Sequence, residues 1–222
     1  MSMPASTSTI PAALRAQAPA PTHAAVQRRL ALALGLWAGA AALLTARGVT
    51  ERLPTRLLPV PVALGIAAPL LVYARVQAFR AYIHALDLRG LFTLFHLWRA
   101  PAALAFFYYG ARGKLPAAFV RNAAWGDLIA ALLAPAVVVQ SVRAGRRPAG
   151  DGAGTRGFVG FNLFSFADFV VAVGTGIAFS LRGDARMSTL MRLPMALIPL
   201  FGVPVTGAFS LMALHRLFTR RA

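Results

Sequence analysis

Arg99, Asp127 and Asp168 stand inside long apolar runs that otherwise carry almost no formal charge. A charged side chain at the centre of a bilayer costs at least about 2.5 kcal/mol on insertion scales, so each of the three requires a partner. The chemistry available to them is narrow: a guanidinium holds an anion or a carboxylate, and a carboxylate holds a cation or exchanges a proton. His96 lies one turn before Arg99, and Asn162 and Ser165 precede Asp168 on the same run. On a helix advancing about 100° per residue, Ser165 and Thr175 fall within about 60° of Asp168. The spacing predicts a polar seam made of His96, Arg99, Asp127, Asn162, Ser165 and Asp168. Such a seam serves either as glue between helices or as a substrate or proton path. In the path reading Arg99 holds an anionic group, Asp168 exchanges a proton, and Asp127 and His96 serve the two ends.

The elements that must position these residues are six apolar segments, at 30–46, 57–74, 90–111, 122–142, 157–181 and 193–215. An apolar helix of about 20 residues spans the roughly 30 Å hydrocarbon core of a bilayer. The chain is 58% hydrophobic and 13% charged, with a mean hydropathy of +0.65, too apolar for a soluble domain that must hydrate its surface. The predicted fold class is therefore an all-α polytopic transmembrane bundle of about six spans. Residues 1–25, rich in Ala, Pro, Ser and Thr, read as a disordered tail, and 26–222 as a single membrane domain. In that arrangement Arg99 and Asp168 fall near mid-membrane, nine and eleven residues into their segments, and are expected to pair. Asp127, about five residues into its segment, is expected nearer the opposite face, roughly 8 to 10 Å from the layer of Asp168.

Prolines 59, 61 and 69 in the second segment, and 194, 199 and 204 in the sixth, are tolerable where neighbouring helices satisfy the freed carbonyls. Between Arg75 and Arg89 the stripe Phe79, Tyr82, Ile83, Leu86 predicts a short amphipathic interfacial helix. Arg28 and Arg29 ahead of Leu30 resemble the start of a signal peptide, but no small-residue cleavage site follows, so the first segment is expected to remain as an anchor. Its Gly35 and Gly39 form a G-x-x-x-G pair suited to close helix approach.

The net charge of +17 arises from 23 Lys and Arg against six acidic residues. The arginines cluster at the ends of the apolar segments rather than on a folded basic face, which points to anionic lipid headgroups and away from nucleic acid. Flank by flank, 13 Lys and Arg lie on the N-terminal side of the membrane and 9 on the other, which favours cytoplasmic termini. The absence of cysteine removes disulfides, thiolate metal sites and a thiol nucleophile.

Three catalytic or cofactor patterns occur in incomplete form. Ala124-Trp125-Gly126-Asp127 resembles the G-x-G-D motif of aspartyl membrane proteases with its first glycine replaced, and the expected depths of Asp127 and Asp168 keep a shared-proton pair apart. A bis-histidine haem would need His96 and His215 at one depth. Gly152 to Gly157 fits G-x-G-x-x-G without the preceding strand that a nucleotide site requires. No cofactor and no metal are expected.

Phe95-His96-Leu97-Trp98-Arg99, Gly113-Lys114-Leu115-Pro116, Gly126-Asp127, Asn162-Leu163-Phe164 and Asp168 together resemble uncharacterised multi-pass bacterial inner-membrane proteins, over about residues 90–215. The resemblance implies a bacterial cytoplasmic membrane and a polar core, and no reaction. The leading functional expectation is a small transporter or permease. A structural or assembly subunit, associating with other membrane subunits or with itself, comes second, and a membrane enzyme, protease-like or redox, third.

Overall fold

The computed structural model describes residues 23–86, 90, 92–145 and 153–219. Its order is α1 (His23–Ala46), α2 (Pro59–Arg75), α3 (Gln77–Ala85), α4 (Thr93–Phe95), α5 (Arg99–Ala111), α6 (Ala117–Gly145), α7 (Ala153–Leu181) and α8 (Val203–Thr219), with no strand among the described residues. The fold is an all-α bundle. Among the described residues, five helical stretches are long and apolar enough to cross a membrane, at His23–Ala46, Thr55–Arg75, Ala117–Arg143, Arg156–Leu181 and Ile198–Thr219.

The third expected segment is different in kind. It is broken into α4, a 3₁₀ turn at His96–Trp98, and α5, so no single helix there reaches spanning length. Pro101 sits in the first turn of α5, where its missing N–H leaves no hydrogen bond unmade. The first segment begins earlier than expected, since residues 23–25 of the expected tail are already helical; 1–22 lie outside the described residues. The amphipathic stretch folds as α3, burying Phe79, Tyr82 and Ile83 against α2 and α8 as its stripe requires.

Packing follows residue size more than polarity. On α6, Ala123, Ala124, Ala130, Ala131 and Ala134 form a buried small-residue stripe, which lets α7 lie close along nearly its whole length. On α5, Arg99, Ala102, Ala103 and Phe106 repeat at i, i+3, i+4, i+7 and face α6. Large apolar residues such as Leu104, Leu132, Leu163, Val170 and Val171 point outward, as a lipid-solvated surface demands.

One end of the bundle gathers the connections at 47–58, 112–116 and 182–197. There α5 and α7 finish in the same way, with Gly113 and Gly183 at positive φ and the next amide, of Lys114 or Asp184, returning to the carbonyl of Tyr109 or Phe179. Met187, Leu190 and Met191 of the 3₁₀ turn Ala185–Met191 are buried beneath this end. The turn is tied down by Thr50 Oγ1 donating to the Met191 carbonyl (2.6 Å), Thr189 Oγ1 to that of Lys114 (2.7 Å) and an ion pair of Arg192 with Glu51 (2.9 Å).

Candidate functional site at the centre of the bundle

Arg99 opens α5 just after the 3₁₀ turn, and its side chain is only 2% exposed. The guanidinium lies between two carboxylates from two other helices. Its Nε donates to Asp127 Oδ1 on α6 (2.6 Å) and its Nη2 to Asp168 Oδ2 on α7. The expected Arg99–Asp168 pair is present, with a second acid beside it that the expected depths had placed elsewhere. The reason is where α6 begins. It starts at Ala117 rather than 122, so Asp127 lies ten residues, about 15 Å, from that end. Arg99 lies about 18 Å from the end of α5 and Asp168 about 20 Å from the end of α7, which puts all three in one layer. Asp127 is therefore central, and the depth expected for it, nearer the opposite face, is corrected.

Gly126, beside Asp127, belongs in the sequence both to the protease-like motif and to the family resemblance. It has a steric task. A Cβ built on it would overlap the Asp168 carboxylate, so glycine here is what allows α7 to bring Asp168 against Arg99. Helix phase carries that requirement, and a one-dimensional reading has no access to it until α6 and α7 are known to pack.

The remaining polar residues do not complete the ion pairs. His96 is 1% exposed, packed edge-on against Phe161 and Phe92, and neither ring nitrogen has a hydrogen-bond partner among the described residues. Asn162 Nδ2 donates to the Phe158 carbonyl (2.8 Å), leaving its Oδ1 unpartnered, as are Ser165 Oγ, Ser141 Oγ and Arg99 Nη1. His96, Asn162, Ser165 and Ser141 all lie on the same side of Arg99, away from the Lys114 end. Thr175, expected to extend the seam, bonds instead to Asn122 Nδ2 (3.1 Å) on the other side.

On that other side is a cavity of about 80 Å³. Arg99 and Asp127 stand at its inner limit, Phe106, Phe119, Val173 and Ile177 along its wall, and Met187 and Leu190 under the end connection. Trp98 also lines it, fixed by its Nε1 donating to Thr206 Oγ1 (3.1 Å). Trp98 fits because Gly202, in the π turn Ile198–Gly202, has no side chain to meet its ring. Trp98 enters the sequence reading only within the Phe95–Arg99 run and Thr206 not at all, since an aromatic and a hydroxyl in apolar runs carry no distinctive spacing.

The geometry also bears on the catalytic patterns. A water-activating pair of aspartates must share a proton directly, and here the guanidinium of Arg99 stands between Asp127 and Asp168. His215 is engaged with other partners than His96: Tyr73 Oη lies 2.9 Å from its Nδ1 and 2.8 Å from His84 Nε2, a Tyr–His–His cluster joining α2, α3 and α8. Of the glycine-rich motif, Gly152 lies outside the described residues and 153–157 form the first turn of α7.

The sequence profile of one family, described as a domain of unknown function (DUF8737), matches residues 57–218. The match is wider than the resemblance over 90–215, contains the whole ion-pair layer and the cavity, and leaves α1 outside. No curated protein and no solved structure matches the chain.

Proposed function

The chain belongs to the DUF8737 family, and from that premise we propose that it is a small multi-pass permease whose exchange step is centred on Arg99, Asp127 and Asp168. One observation carries the reading: at mid-depth, two carboxylates from two helices share a single guanidinium from a third. A purely structural neutralisation needs one acid per base. A second acid at this depth adds an insertion cost of about 2.5 kcal/mol or more unless it takes a proton or a cation. A group that must alternate between those two states is what coupled transport requires.

The surroundings support the same reading from both sides. Unpartnered polar atoms of His96, Asn162 and Ser165 border the layer on one side, where water or a proton would satisfy them. The cavity borders it on the other. The broken helix before Arg99, with the π turn packed against Trp98, resembles the interrupted helices that surround transport sites in other bundles. The arginine distribution supports both termini on the cytoplasmic side of a bacterial inner membrane, with anionic headgroups at the helix ends.

The test is proton movement in proteoliposomes under an imposed pH or potential difference. Wild-type protein moves protons with a transported solute and Asp168→Asn does not. A well-folded wild type that moves none under a range of solutes overturns the reading.

A second reading, a subunit of a larger membrane assembly, is favoured by α1. Its Leu32, Leu36, Leu43 and Leu44 are exposed, and nothing lies within 4 Å of a Cβ built on Gly35 or Gly39. That face is free for another helix, from a second copy or a different subunit. Co-purification of a stoichiometric partner that is lost on Gly39→Leu supports it, and a monodisperse monomer counts against it.

A further inference from the structure

At the end of the bundle that gathers the connections, a second pocket of about 450 Å³ opens, within the roughly 300–1,000 Å³ typical of ligand sites. Tyr109, Lys114, Arg186, Thr189, Arg192 and Leu193 line it, so three cations and no acid border the space. One wall is the 3₁₀ turn Ala185–Met191. At three residues per turn, Met187 and Leu190 share one face and are buried, which leaves Arg186 and Thr189 on another face to line the pocket. Thr189 Oγ1 donating to the Lys114 carbonyl (2.7 Å) fastens this wall to the end of α5. Arg186 gives its Nε and Nη2 to Asp184 (2.9 and 2.6 Å), and Arg192 pairs through its Nε with Glu51 (2.9 Å). A guanidinium has five N–H donors, so both arginines are held in place with donors to spare. Lys114 Nζ lies 5.9 Å from the centre of the Tyr109 ring and pairs with no acid among the described residues.

We propose that this pocket binds a phosphodiester monoanion, with Lys114 supplying the opposing charge and Arg186 and Arg192 the hydrogen bonds. Charge sets the valence. Asp184 and Glu51 offset the two arginines, which leaves the single positive charge of Lys114 for the ligand. The planar N–H forks of the guanidiniums match the paired oxygens of a phosphate group. The Tyr109 ring and the Leu193 side chain offer apolar contact to the ester groups, which inorganic phosphate lacks. The connections at 47–58, 112–116 and 182–197 together carry eight Lys and Arg against Glu51 and Asp184, a field that draws anions to this end. A phosphodiester reaches the pocket either as the headgroup of a lipid or as a soluble molecule, and the recognition chemistry is the same for both. The inference is independent of the transport reading and of the ionic layer at Arg99.

The experiment uses the purified, delipidated full chain in detergent and three probes: dioctanoyl phosphatidylglycerol, soluble glycerophosphoglycerol, and dioctanoyl phosphatidylcholine, whose choline cancels the phosphate charge. Phosphatidylglycerol is expected to bind saturably, one per chain, and phosphatidylcholine more weakly. Loss of a charge-assisted contact in Lys114→Gln is expected to weaken phosphatidylglycerol binding about tenfold. Arg143→Gln removes the same charge at the opposite end of α6 and is expected to leave binding unchanged. Lys114 is exposed, so its variant is expected to melt with the wild type; Arg186→Gln, also exposed, is expected to weaken binding in the same direction and keeps the test valid if the first variant folds poorly. Glycerophosphoglycerol binding as tightly as the lipid supports the site with a soluble ligand, and binding of the lipid alone supports it with a membrane one. Absence of saturable binding by either phosphodiester, phosphatidylcholine binding as tightly as phosphatidylglycerol, or equal weakening in Lys114→Gln and Arg143→Gln overturns the proposal.

Discussion

The two sides of Arg99 are built on opposite terms. Toward the Lys114 end the walls are apolar yet leave space, and polar groups there, Trp98 with Thr206 and Asn122 with Thr175, are paired. Toward the other end the side chains are closely packed around Phe158 and Phe161, yet His96, Asn162 and Ser165 present polar atoms with no partner among the described residues. Stability alone would favour the reverse, since an apolar cavity forfeits protein packing and a buried unpaired polar group costs about 1 to 3 kcal/mol. Both departures meet at the same ionic layer. Their coincidence teaches that the ionic layer is where the proposed exchange step must be tested.

The most damaging way to break the comparison is to remove what joins the two sides. Arg99→Leu leaves two buried carboxylates without a cation, and we expect a loss of about 3 to 5 kcal/mol, seen as a collapse of thermal stability in detergent. Next is Gly126→Val, whose side chain takes the place of the Asp168 carboxylate; a loss of about 1 to 3 kcal/mol is expected from overpacking, with transport reduced in parallel.

The third change sharpens the contrast. Ser165→Ala deletes an unpartnered hydroxyl, so melting is expected to stay level or rise by the equivalent of about 1 kcal/mol while proton flux falls. A drop in stability without loss of flux would show the hydroxyl to be structural glue. The smallest effects belong to the end connections. Glu51→Gln removes a solvent-exposed pair with Arg192 and is expected to cost less than about 1 kcal/mol in the same melting assay.

Asp184 supplies a pH test at that end. Its hydrogen bonds to the Arg186 side chain, more than the Arg186 backbone amide and charge, hold its carboxyl below the usual value. The folded value thus lies below the unfolded one. Its contribution is present above the unfolded value and is lost as pH falls through the folded one. Asp184→Asn is expected to flatten that acid limb of the melting curve slightly.

What could be read from the residues alone divides along the same physical line. Arg99, Asp127 and Asp168 were conspicuous because a charge in an apolar run is a costly exception, and the all-α fold followed from run length. The depth of Asp127 was misplaced because Ala117 to Arg121 extend α6 beyond the purely apolar stretch, and hydropathy does not register a helix that continues through Arg121. The division of the third segment was hidden as well, since a helix and a 3₁₀ turn share the same apolar composition.

Helices α1 and α8 make the point most plainly. Both read as apolar spans, yet 61% of the apolar core of the stretch Ile198–Thr219, which contains α8, is buried against 11% of that of α1. The buried face of α8 is marked by small residues, Thr206, Gly207, Ala208, Ser210 and Ala213, while α1 turns leucines outward. In a bilayer leucine is as comfortable against lipid as against protein, so polarity carries no signal of burial and size does.

The most direct test of the central claim replaces the whole ionic layer at once, with Arg99→Gln, Asp127→Asn and Asp168→Asn in one chain. Removing every member leaves no orphaned charge, so the variant is expected to insert and melt close to the wild type. In proteoliposomes it is expected to move no protons. Proton flux at the wild-type rate in this folded, uncharged variant would contradict the account.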